Sequence, residues 1–236
     1  MSVKTKKKST NNYLGICVAR KNSKGLKNKN IITINSRPCS YWTLLAAKKS
    51  KYLSKAVLST DSKKIINIAK KIKIEVPYLR PKFLSEDETP IYLVIHHLIK
   101  HYKMKKNYFD YIVLLQCSSP FRTSRHIDEA IKHFEKNKKN QNSSLISVVR
   151  SDIKAQWLLK KNGKKLIPIF NKKFQNLRRQ KNENFFLPNG AIYIANTKKF
   201  KKNFFSKNTL FYEMDEKSSI DIDTRKDLEI IKKRYE

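Results

Sequence analysis

A chain of 236 residues, 39% hydrophobic and 11% aromatic, is long enough to close one sizeable core and too apolar to be wholly disordered. No apolar run reaches the length of a membrane span, and the amino terminus carries no signal-peptide hydrophobic region. The formal charge of +34 names no partner by itself: the lysines fall in nearly every segment, and no helix-turn-helix, zinc-finger or RNP-like string accompanies them.

Residues 1–12 are basic, polar and without periodicity, and read as a loose tail ahead of a single domain over 13–236. The apolar run Leu14–Ala19 reads as a buried strand. It opens into a loop with Arg20, Lys24 and Lys29 at its corners and Gly25 at its bend, a way of presenting cations and backbone N–H groups to a polyphosphate. The loop is neither a Walker A nor a G-x-G-x-x-G string. Lys21 and Lys27 read as plain surface charge. Tyr41–Lys51 is helical in pattern, Ala56–Ser59 a strand, and Lys63–Lys73 a helix with Ile65, Ile66 and Ala69 on one face. Thr89 and Pro90 have the chemistry of an N-cap and first helical residue ahead of Leu93, Val94, His97 and Leu98.

Tyr111–Gln116 is a strand that ends in a polar amide, which must find a partner or face a ligand. His126–Asn137 is a helix, Ser144–Val149 and Ala191–Ala195 are strands, and Thr224 with Asp227 forms a capping box before Leu228 and Ile231. Between 151 and 187 the pattern breaks into an apolar excursion with Trp157, Leu158, Leu159, Phe170 and Phe174, either packed back on the sheet or forming an interface. Strand–helix alternation predicts an α/β fold, a mainly parallel sheet with helices on both faces, and ligands at the carboxyl ends of the strands. Cys17, Cys39 and Cys117 have no metal-site spacing, and Cys17 and Cys117, within apolar strand-like runs, read as buried free thiols, which fits a cytoplasmic setting. None of the five histidines has a companion at metal-ligand spacing with Cys or Glu nearby, and they read as core or surface residues.

Asp221 and Asp223, two apart on an extended run, project to one face and offer hard oxygen ligands suited to Mg²⁺ (or Mn²⁺). Alone, such a pair also fits a capped helix start.

The string Ala19-Arg20-x-x-Ser23-Lys24-Gly25-Leu26-x-x-Lys29-Asn30 resembles the opening motif of the CMP-sialic acid synthetases, the acylneuraminate cytidylyltransferases. Further matches follow in order: Ser59-Thr60-Asp61, Leu79-Arg80-Pro81, Leu114 to Thr123, Arg178-Arg179-Gln180, Pro188-Asn189-Gly190, and Ser219 to Thr224. The resemblance implies a three-layer Rossmann-like nucleotidyltransferase fold with a mainly parallel mixed sheet. It implies transfer from CTP to a nonulosonic acid, with Mg²⁺ as cofactor and a homodimer built on 151–187. It makes Arg20, Lys24, Lys29, Asn30 and Arg80 the nucleotide contacts, with Arg20, Lys29 and Asp223 closest to the chemistry. Gln116, Arg178, Arg179 and Asn189 fall on the acceptor side, and Asp221 and Asp223 on the metal.

The chain departs from the pattern on that acceptor side. Cys117-Ser118 stand where Pro-Thr is usual, Ser151 to Trp157 replace a His-Pro string, and Leu187 replaces a basic residue before Pro188. Sialic, legionaminic, pseudaminic or another nonulosonic acid therefore fits as acceptor. A CMP-Kdo-type transferase, whose opening loop reads differently, and a basic nucleic-acid-binding protein are the alternatives. The latter explains the charge and leaves Asp221 and Asp223 unexplained, so nucleic-acid binding is expected to be incidental.

Overall fold

The computed structural model describes residues 11–152, 158–169 and 184–235. In chain order the strands are β1 (Tyr13–Val18), β2 (Thr33–Ile34), β3 (Arg37–Pro38), β4 (Lys55–Ser59), β5 (Tyr111–Gln116), β6 (Ser144–Ser151), β7 (Leu159–Asn162), β8 (Lys165–Pro168), β9 (Phe185–Asn196) and β10 (Thr209–Glu213). The helices are α1 (Cys39–Lys49), α2 (Lys63–Ile72), α3 (Ile91–Met104), α4 (Ser124–Asn137) and α5 (Arg225–Tyr235).

Six strands form one sheet in the order β10-β6-β9-β5-β1-β4, and β9 alone in it runs antiparallel to its neighbours. Both faces are covered, and the strands show why. On β5, Tyr111, Val113 and Leu115 pack with α1, α2 and α4, while Ile112 and Leu114 pack with α3 and with Phe200 and Phe204. A strand buried on both sides reads as a continuous apolar run, because neither parity is left to solvent. Helix α4 turns Ile127, Ala130, Ile131 and Phe134 to the sheet at three- and four-residue spacing. Ile127, Ile131 and Phe134 each stabilise the fold by about 1.5–3 kcal/mol when fully buried.

The helix starts refine the expectations. Thr123 caps α4 in a reciprocal box with His126, and Thr224 with Asp227 caps α5: Asp227 Oδ2 accepts from the Thr224 N–H at 2.7 Å and Thr224 Oγ1 accepts from the Asp227 N–H at 3.3 Å. Thr89 is not a cap. Its hydroxyl donates to the Phe83 carbonyl at 3.0 Å, Pro90 is extended (ψ 137), and α3 begins one residue later, at Ile91. The tail is also shorter than expected: Asn11 Nδ2 donates to Glu135 Oε1 at 2.9 Å and the Asn12 N–H to Asp110 Oδ2 at 2.8 Å, while residues 1–10 lie outside the described residues.

Five strands were not expected: β2 and β3, which pair with each other, and β7, β8 and β10. β10 pairs with β6 at the sheet edge, and the excursion contains an antiparallel β7–β8 hairpin. The β9 strand extends back to Phe185, because residues 185–188 pair with the last residues of β6 beyond an irregularity between Ile146 and Val148. All three cysteines are free and buried. No helix among the described residues is long and apolar enough to cross a membrane.

Candidate active site

After β1 the chain proceeds to β4 on one side of it and then to β5 on the other, so a crevice opens outside the carboxyl ends of these strands. A cavity of about 240 Å³ lies there, lined among others by Arg20, Lys29, Asn30, Arg80, Gln116 and Ser118. Five of the residues expected to bind substrate therefore meet around one space.

The loop after β1 is pinned from inside. Asn30 is buried, and its Nδ2 donates to the Arg20 carbonyl at 3.0 Å. Arg80, also buried, donates from Nη2 to the Ala19 carbonyl at 3.0 Å and lies 3.7 Å from Asp61 Oδ1. Asp61 Oδ1 also accepts from the Lys21 N–H at 2.7 Å, so this carboxylate joins the loop to Arg80. Burial pulls the Arg80 pKa down and the Asp61 charge opposes that shift. The side chains at the loop corners each face a carboxylate: Arg20 meets Asp87 at 2.6 Å, Lys24 meets Glu88, and Lys29 meets Asp223. The Lys24–Glu88 pair is fully exposed and weak. Lys29 is more enclosed, its side chain 18% exposed, and its direction is correspondingly defined.

The stretch preceding α5 closes the other side. Ile222 is buried against Ile34, Cys39 and Ile231, and its N–H donates to the Ser118 carbonyl at 2.9 Å. Asp221 and Asp223 flank it and project away from that core, as the extended spacing requires. Asp221 is half-buried beside Ser119, whose hydroxyl donates to Oδ1 at 3.3 Å. Burial raises the Asp221 pKa above the usual carboxylate value; the Ser118 hydroxyl opposes this, the Asp223 charge adds to it, and Lys29 opposes it.

Two glycines permit this closeness. A Cβ on Gly25 would sit 2.3 Å from the Asp223 carbonyl oxygen. Gly190 has φ +73, and a Cβ there would lie 3.2 Å from Asp221 Oδ2.

Among the described residues no group of three or more His, Cys, Asp or Glu forms a metal cage. The Asp221–Asp223 pair nevertheless fits a Mg²⁺ site of the kind completed by substrate phosphates and water. Its two carboxylates repel each other across a part-buried position, and a divalent cation would relieve that repulsion.

Some expectations are revised. Asn189 is buried with its amide committed to the protein: Oδ1 accepts from Ser147 Oγ at 2.6 Å and from the Ala191 N–H at 3.2 Å, and Nδ2 donates to Ser219 Oγ at 2.9 Å. It holds the turn beside Asp221 and is not presented to the cavity. Arg178 and Arg179 lie outside the described residues, as do Trp157, Phe170 and Phe174. The histidines are structural where their partners are defined: His96 meets the Lys201 carbonyl, His97 the Tyr78 hydroxyl, and His126 completes the α4 cap. In the sequence, Asp61, Ser119 and Arg122 stand out only as members of motif strings, and Ser118 only as a departure from one. Their signal in the sequence is position, immediately after strands whose ends meet at the crevice.

The sequence family model for cytidylyltransferases matches residues 14–235. The chain is 34% identical over 219 residues to N-acylneuraminate cytidylyltransferase of Escherichia coli O18:K1:H7, covering 92% of this chain and 50% of that protein; it thus spans about half the length of that relative. It is 33% identical over 231 residues to CMP-N,N'-diacetyllegionaminic acid synthase of Legionella pneumophila, covering 94% of this chain and 96% of that one. Among solved structures, CMP:2-keto-3-deoxy-manno-octonic acid synthetase complexed with CTP aligns with a TM-score of 0.66 at 14% identity, over 94% of this chain and 97% of that one, and shares its fold. An α/β sheet with this crevice, motifs in this order and a match over nearly the whole chain lead to one assignment: the chain belongs to the cytidylyltransferase family.

Proposed function

We propose that this protein transfers the cytidylyl group of CTP to a nonulosonic acid, releasing pyrophosphate. One observation carries the reading: Lys29 and Asp223, far apart in sequence, are paired across the mouth of the crevice, with Gly25 against the Asp223 backbone. This sets a phosphate cation and a metal-type carboxylate side by side. The 33% identity to a legionaminic acid synthase, against 14% to the Kdo synthetase, favours this acceptor class over Kdo.

In this reading the acceptor's anomeric hydroxyl attacks the α-phosphorus in line, the new O–P bond forms, and the bond to pyrophosphate breaks as the hydroxyl loses its proton. Arg20 and Lys29 offset the charge that builds on the phosphates, Asn30 and Arg80 hold the nucleotide, and Gln116 faces the acceptor. Asp221 and Asp223 would hold Mg²⁺ (or Mn²⁺), which when bound supplies Lewis-acid charge compensation to the phosphate oxygens. The chain's large positive charge draws the anionic substrates in. A cytoplasmic setting fits three free, buried thiols.

The test is pyrophosphate release from CTP with N-acetylneuraminic, legionaminic and pseudaminic acids and with Kdo. Release is expected with at least one nonulosonic acid of the first three and not with Kdo. Release with Kdo alone, or with no acceptor, would overturn the reading.

The same reading includes a homodimer. Leu158, Leu159, Leu166 and Ile169 are exposed on and beside the β7–β8 hairpin, and Leu187 is exposed at the start of β9. Such an apolar set marks an interface. Sedimentation at micromolar concentration should give a dimer, and Leu166→Glu should shift it to monomer. A parent protein that is monomeric throughout would refute the interface.

A further inference from the structure

Arg122 lies in the turn before α4, with its guanidinium under the floor of the crevice and the residue only 1% exposed. Nη1 donates to the main-chain carbonyls of Gln116, at 3.2 Å, and Ala191, at 2.8 Å. Nη2 donates to Thr43 Oγ1 at 2.5 Å, and that hydroxyl donates in turn to the Gln116 carbonyl at 3.3 Å. One planar group thereby fastens the end of β5, the Gly190–Ala191 segment of β9 and helix α1. Among the described residues no carboxylate lies within ion-pair distance of it, and its Nε is buried without a hydrogen-bond partner. An uncompensated buried cation costs stability, so packing does not account for it.

What it fastens is one half of the site. Gln116 and the Gly190–Ala191 segment of β9, which lies against Asp221, hang on this guanidinium. Arg20, Asn30 and Arg80 hang instead on the Ala19 and Arg20 carbonyls and on Asp61. We propose that Arg122 is a positioning residue for the acceptor half of the site, setting Gln116 against the Gly190–Asp221 wall without touching substrate. The assignment rests on the reading of Gln116 as an acceptor contact.

Three variants test it: Arg122→Met removes the charge and the fork, Arg122→Lys keeps the charge, and Thr43→Val keeps the guanidinium and removes one of its acceptors. Three quantities are measured on each: CTP affinity by calorimetry without acceptor, kcat/KM for the acceptor, and hydrogen exchange by peptide. Arg122→Met should lower acceptor kcat/KM on the order of ten- to a hundredfold, as a small misplacement of a contact does. Arg122→Lys should recover part of the loss and Thr43→Val should show a smaller one, while CTP affinity stays within about twofold throughout. Exchange should quicken at residues 116–119 and 189–192 and not at 13–34.

Unchanged acceptor kcat/KM would overturn the proposal. So would a loss of CTP affinity in step with acceptor kcat/KM, which general loosening of the fold produces. Should Arg122→Met fail to fold, Thr43→Val carries the same comparison. A parent protein that uses no nonulosonic acid refutes the proposed acceptor class alone; the exchange measurement then decides, since local quickening upholds the tethering role and unchanged protection refutes it.

Discussion

Asp221→Asn should make the protein more stable and nearly inactive. Burial and the neighbouring Asp223 charge raise the Asp221 pKa, so folding at neutral pH maintains a carboxylate in surroundings that disfavour its charge. Asparagine keeps the shape and can still accept from Ser119. The sign follows from linkage. A carboxyl whose folded pKa lies above its unfolded value costs stability when ionised, and the cost disappears as pH falls through the raised pKa and below the ordinary aspartate value. The variant's advantage should therefore be present at neutral pH, at about 1 kcal/mol or 2–4 °C in melting temperature, and vanish in acid. Turnover should fall at least about a hundredfold if the carboxylate retains the metal beside the phosphates. Asp223→Asn, at an exposed position, should lose most turnover with little change in stability and be partly rescued by excess Mg²⁺. Melting curves across pH, alongside pyrophosphate release on the same samples, decide the matter. A fully active Asp221→Asn protein would remove the metal assignment and most of the mechanism with it.

The second large effect is expected on the phosphate side. Lys29→Ala and Arg20→Ala should each lower kcat/KM for CTP on the order of 10²–10³, the loss typical of one oriented charge-stabilising donor. Both cations are held before any chemistry, Lys29 by Asp223 and Arg20 by Asp87, so their contribution requires little reorganisation. Lys21 is the internal control. Its N–H is bonded to Asp61, its side chain is exposed, and Lys21→Ala removes only that side chain, so activity should stay within about twofold. Steady-state kinetics in CTP with circular dichroism on the three variants separates the roles. Equal activity in all three would sink the phosphate-loop assignment.

The sequence was most readable where local chemistry decides the outcome. A strand covered on both faces needs apolar residues at both parities, and Tyr111–Gln116 shows it with its boundaries intact. The period of α4 and the Thr224–Asp227 cap follow from neighbours three or four residues apart. Asp221 and Asp223 project from one side of a buried Ile222 because an extended chain alternates its side chains. The opening motif, Ser59-Thr60-Asp61 and the string from Leu114 to Thr123 run from the ends of β1, β4 and β5 into the segments that follow them.

Pairings between distant segments belong to the tertiary structure. The apolar run of β9 reads the same in either direction, and its antiparallel place between β5 and β6 comes from sheet assembly. β10 is an edge strand of half-exposed and exposed residues without a clean alternation, and only its pairing with β6 defines it. Asn189 looks available in a polar turn until Ser147 and Ser219 arrive from other strands and loops to occupy its amide. Arg122 is only one residue of a motif string until the end of β5, Ala191 of β9 and Thr43 of α1 close over it. The order of the core strands β1, β4, β5, β6 and β9, of the helices and of the candidate ligands was thus legible in the residues, since it depends on the period and capping of near neighbours. Which candidates face the crevice and which are locked into its walls was decided by the tertiary structure alone, because a hydrogen-bonding side chain serves whichever partners folding brings within reach.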